Sequence, residues 1–414
     1  MKNIYSVKKI LSFYFILFFT IIMTGCKDEP APTLFDNVPI TPIGQTPVIN
    51  SVSPDSGFAG VTEITINGSN FSSNPGDNLV YFNGRLATIL NASPTQLIIK
   101  SPGLPNESMT SENTVVKIAV LSAELFSNSI DYKLLAAVSI LYPFPQNNVP
   151  TTISSDDQGN IYTSLMVSGA GGGIKKITPS GEYSDYAPRG IETSWSGLKF
   201  GPDGILYAAK KLQGIWQIFE GVQPTNAPWV GGAASGLGSN IVDINFDTQG
   251  NIWAVGNNKN IYRIKPDKSV TAFPFDANLR TVKIFNNSVY VGGIQNSIEG
   301  IWKLDILLDG TLGSSEEYFN FSNSYSGKKV NAITFAQDGD LYIGTDAEQQ
   351  IIIVHPNKEF EPLYSGLLKP SEVLSFAWDN STNLYYSRAA GVDSTQNEIT
   401  PTIIRMNVQK QGVK

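Results

Sequence analysis

From residue 153 onward the sequence resembles itself. The segments "ISSDDQGNIYTSL" (153), "LKFGPDGILYAAK" (198), "INFDTQGNIWAVG" (244), "VKIFNNSVYVGG" (282), "ITFAQDGDLYIGT" (333) and "FAWDNSTNLYYSR" (376) share one plan. Each reads as a strand, a turn, and an aliphatic–aromatic pair opening a second strand. The pairs are Ile161-Tyr162, Leu206-Tyr207, Ile252-Trp253, Val289-Tyr290, Leu341-Tyr342 and Leu384-Tyr385. A strand-bearing repeat of roughly 40–50 residues is a propeller blade, a unit that buries its apolar faces only by stacking on neighbours. Gly-Asn and Asp-Gly turns supply the positive φ of tight hairpins. The fourth repeat carries Asn286-Asn287 there instead, and the sixth carries "NSTN". The sixth repeat ends after its third strand, "PTIIRMNV", whereas "AAVSILYPFPQ", ahead of the first, looks like a fourth. An open ring exposes strand edges, so this N-terminal strand is expected to complete the last blade.

The shape "D-x-x-G-N-hydrophobic-Tyr", with "NIYRIKP" following, resembles six-bladed propellers of the NHL type and covers residues 135–414. Ahead of it, residues 47–134 read as short alternating strands, among them "EITING", "NLVYFNG", "QLIIKSP" and "TVVKIAVL", spaced as in a β-sandwich. Ile49, Ser53-Pro54, Gly57, Gly60, Ile64, Ile66 and Asn67-Gly68-Ser69-Asn70-Phe71 resemble the IPT/TIG immunoglobulin-like family. Gly57, Gly60 and Gly68 are expected at positive φ, and Phe71 in the core. "GLPNESMTSEN" departs from the family as a longer polar loop. The expected fold is all-β: a sandwich that serves as spacer or as binding module, then a six-bladed propeller.

The first 25 residues have the form of a secretory signal. Lys2, Lys8 and Lys9 precede the uncharged run "ILSFYFILFFTIIM", too short for a secure membrane span of about 20 residues. Thr24 and Gly25 then precede Cys26, the single cysteine of the chain. This resembles the lipobox of bacterial lipoproteins, and the resemblance implies cleavage before Cys26 and acylation of its thiol; an uncleaved anchor is the alternative. Two or three acyl chains hold where one does not, since each buried methylene contributes about 0.8 kcal/mol. Lys27-Asp28-Glu29 resembles the surface-export signal of some outer-membrane lipoproteins, against a plain solvated tether. Residues 26–46 are Pro-rich and aperiodic and read as a stiff spacer.

Composition excludes more than it names. Lys plus Arg is 29 and Asp plus Glu 36, without a basic stripe, so nucleic acid is not an expected partner. Walker, G-x-S-x-G and H-E-x-x-H motifs are missing. The single histidine, His355, cannot supply the several histidine ligands of NHL-type lyases. Asp156, Asp203, Asp247 and Asp338 precede turns, where capping accounts for them. A calcium-dependent hydrolase resembling propeller lactonases is therefore the lesser alternative, and no cofactor or metal ligand set is singled out.

Binding remains. Propeller ligands meet the face formed by loops entering each first strand and loops joining second to third strands. Trp195, Trp229 and Tyr325 lie in or beside such loops among small or polar neighbours and are expected as exposed platforms. Arg280 and Arg388, in "FDANLRT" and beside "AAGVDSTQNEI", are the expected cations. Surface lipoproteins with IPT/TIG modules resemble the accessory glycan-binding proteins of Sus-type uptake systems, where sugar rings stack on aromatic faces. That resemblance implies a glycan as ligand, an outer-membrane transporter as partner, and a membrane met through the lipid anchor alone; a protein-binding adhesin or scaffold is the alternative. If Cys26 is the attachment point, mass spectrometry of the mature N-terminus should find it acylated. Cys26→Ser should then release the protein from membranes.

Overall fold

The computed structural model describes residues 44–190, 194–212 and 214–413. The signal segment, Cys26, Lys27-Asp28-Glu29 and the tether up to residue 43 lie outside the described residues. No described helix is long and apolar enough to cross a membrane.

The sandwich packs two sheets face to face. One orders Val48–Ser53, Glu63–Ser69, Gln96–Lys100 and Thr88–Ser93. The other orders Ser56–Phe58, Ile130–Leu135, Ser111–Val120, Asn78–Phe82 and Arg85–Leu86. Alternation along each strand turns Ile64, Ile66, Val80, Phe82, Leu97, Ile99, Val116 and Ile118 inward, with Phe71 among them. Of the three glycines expected at positive φ, only Gly60 has it, at 72°. Gly57 and Gly68 are demanded by space instead. A Cβ on Gly68 would stand 2.0 Å from the Val48 carbonyl oxygen, and one on Gly57 2.8 Å from the Tyr132 hydroxyl.

Six blades follow in a ring. Blade one is Asn148–Ser155, Ile161–Val167, Ala170–Ile177 and Tyr183–Ala187, from the channel outward. Blades three, four and five repeat this four-stranded meander, while blade two has three strands. Four aspartates ahead of turns lock their own blades, whereas Asp338 pairs with Lys410 of the tail. Asp247 accepts from the backbone of Gln249 and Asn251 through one oxygen, and from Trp253 Nε1 through the other, at 2.9 Å. Asp156 and Asp203 hold the hydroxyls of Tyr162 and Tyr207 in the same way, and Asp379 that of Tyr385. In blade four, Asn286 and Asn287 adopt φ 46° and 58°, the left-handed conformation asparagine tolerates best after glycine.

The repeated aromatics are wedges between blades. Tyr162 is buried with Leu198 and Leu206 of blade two, Tyr207 with Ile241 and Ile244 of blade three, and Trp253 with Leu279 and Val282 of blade four. Tyr290, Tyr342 and Tyr385 continue the series into blades five, six and one. A large side chain buried this way contributes about 1.5–3 kcal/mol, so the ring is held by six similar contacts.

Blade six closes the ring with both ends of the propeller. Val373–Trp378, Asn383–Arg388 and Thr402–Asn407 are completed by Val138–Pro143, which pairs antiparallel with the last of them. Leu141 and Phe144 are thereby buried against Tyr385, Ile403 and Ile153. The chain then continues under blades five and six. Gly412 bridges Ala336, and Val413 N donates to Phe335 O at 2.9 Å. A Cβ on Gly412 would fall 1.8 Å from the Trp378 indole, so only glycine lets the tail lie flat on that ring.

The sandwich is pinned to the propeller by the long polar loop. Glu107 grips Arg388 through both oxygens, at 3.0 and 3.4 Å, and Lys369 at 3.1 Å. Its carbonyl accepts from Ile140 N in the closing strand, and Leu367 lies where a side chain on Gly60 would go. A protein starting at residue 150 lacks the closing strand and should melt well below one starting at residue 135. Equal melting temperatures would mean that blade six closes without it.

Candidate functional site

The five residues expected to meet a ligand do not form one site. Trp195 is 2% exposed. It packs at 5.4 Å on Trp216, and its amide donates to Ser164 Oγ. Its small neighbours in sequence do not cover it; blade one and the third strand of blade two do. Arg388 is equally hidden, committed to Glu107. These two are corrections: neither is an exposed platform or a free cation.

The other three keep partial exposure. Arg280 stands at a bulge in the inner strand of blade four, where its guanidinium binds Val330 O at 2.7 Å and pairs with Glu299. Burial raises the Glu299 carboxyl above its ordinary range against the opposing pull of Val330 N and Arg280. Tyr325 stacks on Phe321 at 4.8 Å. Trp229 meets Tyr207 edge-on at 5.3 Å, with Lys268 Nζ 5.7 Å above its ring. It lines a cleft of about 280 Å³ with Phe219, Val222, Pro224 and Pro228, where blade two has no fourth strand.

A cavity of about 1070 Å³ opens at the other mouth of the channel. It is walled by the turns between first and second strands of blades one to four: 156–158, 201–204, 247–248 and 286–287. Blades five and six contribute little because the C-terminal tail crosses them; Gln337 and Val413 mark its border. Half-buried Phe200, Phe246, Ile284 and Phe285, the last residues of inner strands or next to last, face it together with Tyr186. Polar groups alternate with them: Ser154, Ser155, Lys176, Lys199 and Gln337. Lys176 Nζ sits 5.8 Å from the Tyr162 ring. Burial, then the bond to Asp156, pushes the Tyr162 hydroxyl far above its ordinary pKa, so it stays a neutral donor.

Deeper in, the channel narrows to a neck of about 50 Å³ lined by all six blades. Asp243 lies there, accepting from Thr281 Oγ1 at 3.0 Å and from Val282 N at 2.9 Å. Burial raises its carboxyl above the usual range, and burial lowers Lys283 beside it despite the attraction of Asp243. Lys199 lines both neck and cavity. The repeat carried a trace of this: Lys199 and Lys283 occupy the slot held elsewhere by Ser154, Asn245, Thr334 and Ala377. Among the described residues no group of three or more His, Cys, Asp or Glu is placed to hold a metal ion. His355 Nδ1 is engaged by Asp340 at 2.8 Å at the end of its strand.

Residues 47–133 match the IPT/TIG domain family. No curated protein matches the chain. Among solved structures, an auxiliary nutrient binding protein of Bacteroides thetaiotaomicron is similar at 12% identity, over 87% of this chain and 97% of that one, with a TM-score of 0.48. A luciferin-regenerating enzyme is similar at 15% identity over 67% and 97%, TM-score 0.51. A gluconolactonase of Xanthomonas campestris is similar at 14% over 65% and 89%, TM-score 0.51. At such identities the likeness is one of fold.

Because Trp195 is interior, Trp195→Ala should cost about 3–5 kcal/mol, the usual range for emptying a buried Trp site. Glu107→Ala should be costly as well, about 3–5 kcal/mol, by leaving the buried Arg388 charge without its partner. Chemical denaturation of the two variants measures both.

Proposed function

We propose that the protein is a lipid-anchored outer-membrane protein displayed on the cell exterior, and that its propeller binds a glycan in the cavity at the first-hairpin mouth. In this reading it is an accessory binding protein of a Sus-type uptake system. The observation that carries the ligand assignment is the cavity's make-up. Aromatic and aliphatic side chains, each half-exposed, alternate with hydroxyl, amide, ammonium and carboxylate groups, the last from Asp156, Asp157, Asp203, Glu220 and Asp247, over about 1070 Å³. A polyhydroxylated ring presents the same alternation, with apolar C–H faces for stacking and hydroxyls at its edge. The outer-membrane address rests on the sequence around Cys26 and Lys27-Asp28-Glu29. The open mouth suits a chain that enters end-on, since the neck beyond it, at about 50 Å³, admits little more than water.

The cleft beside Trp229 supports a second reading, in which a flat partner surface or sugar ring lies on blade two. Variants separate the two. Thr248 is an exposed turn residue at the cavity rim, so Thr248→Trp should obstruct the cavity without unfolding the blade. In affinity electrophoresis against a polysaccharide panel, Thr248→Trp and Tyr186→Ala should weaken retention at least about tenfold, a loss of about 1.4 kcal/mol, with Trp229→Ala unchanged. Loss confined to Trp229→Ala would move the site to the cleft. Failure of the native protein to bind any glycan would overturn the reading.

A further inference from the structure

The turn joining Ser111–Val120 to Ile130–Leu135 carries Leu121, Leu125 and Phe126 at 68%, 65% and 55% exposure. Single exposed apolar residues are ordinary, but three large ones on one short turn are not. The turn is braced. Leu121 N donates to Asp77 O, Ala123 N to Val120 O and Ser127 N to Ile118 O, while Ser127 Oγ accepts from Ile118 N at 2.9 Å. Its side chains are therefore held outward by a fixed backbone, with Phe126 leaning on the edge of Tyr81 at 6.0 Å.

Two further observations give this turn a direction. The first described residue runs against it: Gly44 bridges Ala123 and donates to Ser122 O. Asn128, on the same turn, binds both N and O of Ile49, at 2.8 and 2.9 Å. The N-terminal segment thus enters the sandwich along the apolar turn. The propeller sits at the other end. Ser111–Val120 runs from beside Glu107 and Thr110, which contact the propeller and its linker, to the turn. Ten residues of strand separate the two ends by about 34 Å.

We propose that Leu121, Leu125 and Phe126 form a foot that inserts into the interface of the bilayer carrying the lipid anchor, so that the sandwich stands upright beneath the propeller. This rests on the reading of Cys26 as a lipid attachment point. Eighteen positions separate Cys26 from Gly44, a reach of up to about 60 Å, which lets this turn meet the bilayer, and the tether's docked end lies beside it. The turn holds one carboxylate, Glu124, and no Lys or Arg, so its adhesion is hydrophobic. Three side chains adhere weakly alone; tethering supplies the effective concentration that lets them act.

The test replaces the lipid with a neutral tether. Protein from residue 27, which has no cysteine, is captured by an N-terminal His tag on nickel-chelating zwitterionic vesicles. Leu125→Cys and, as control, the fully exposed Leu308→Cys on blade four each carry an environment-sensitive nitrobenzoxadiazole label. The expected result is a blue shift and a several-fold rise in emission at position 125 on capture, unchanged in high salt, with no change at 308. Water-like emission from position 125 on captured protein overturns the foot and leaves the anchor standing. Absence of acylation on Cys26 removes the anchor whatever the label reports.

Discussion

A propeller's innermost strands each leave one edge without a partner strand, and the ring stands only if those backbone groups are satisfied across the junctions. Here side chains do it. Ile153 N donates to Ser375 Oγ at 3.1 Å, Phe200 N to Ser154 Oγ at 3.2 Å, and Ile333 N to Thr281 Oγ1 at 3.2 Å. Asp243 and Asn245 accept from Val282 N and Ile284 N. Ser196 Oγ donates to Ile241 O, and Trp378 Nε1 to Thr334 Oγ1. Five of the six junctions have at least one such bond beside the aromatic wedge; between blades five and six the described bonds run side chain to side chain, Trp378 to Thr334 and Asn331 to Glu372. The wedges supply apolar burial; the polar stitches fix the angle at which each blade meets the next, and with it the shape of the channel.

That division explains what was legible in the sequence. The wedges recur at one slot of a long repeat and so announce blade number, the first hairpin and the closing strand. The stitches are single Ser, Thr, Asn or Asp residues within strands, and nothing local distinguishes Ser154 from a solvent-facing serine. The sandwich was legible for the same reason as the wedges, because its strands alternate. Two of its glycines were misread because close approach of Val48 to Gly68, and of Tyr132 to Gly57, joins segments distant along the chain.

The site was less legible because exposure is a property of neighbours in space. Trp195 stands among small residues in the sequence, yet Trp216 and Ser164 arrive from two blades to enclose it. Arg388 meets Glu107 across 281 positions of sequence. The cavity, in turn, exists on one side of its mouth because Gln337 and the last residues of the chain close the other, a pairing that no repeat encodes. The loop "GLPNESMTSEN", longer than its family's pattern, proves to carry the pin between the two units.

The closing strand also sets an order of events. Val138–Pro143 is made before any blade, and its partner Thr402–Asn407 comes last. About 260 residues must be produced before the two can pair, a separation that belongs to slow, high-contact-order folding. Until then Leu141 and Phe144 have only blade one to cover them, without Tyr385 and Ile403, and blades one to five can assemble only as an open arc with bare edges at both ends. The newly made chain is therefore most vulnerable to association with its own copies just before Thr402–Asn407 emerges. Loss of Thr402–Asn407 strands Val138–Pro143, about 260 residues earlier in the chain, as surely as it opens blade six.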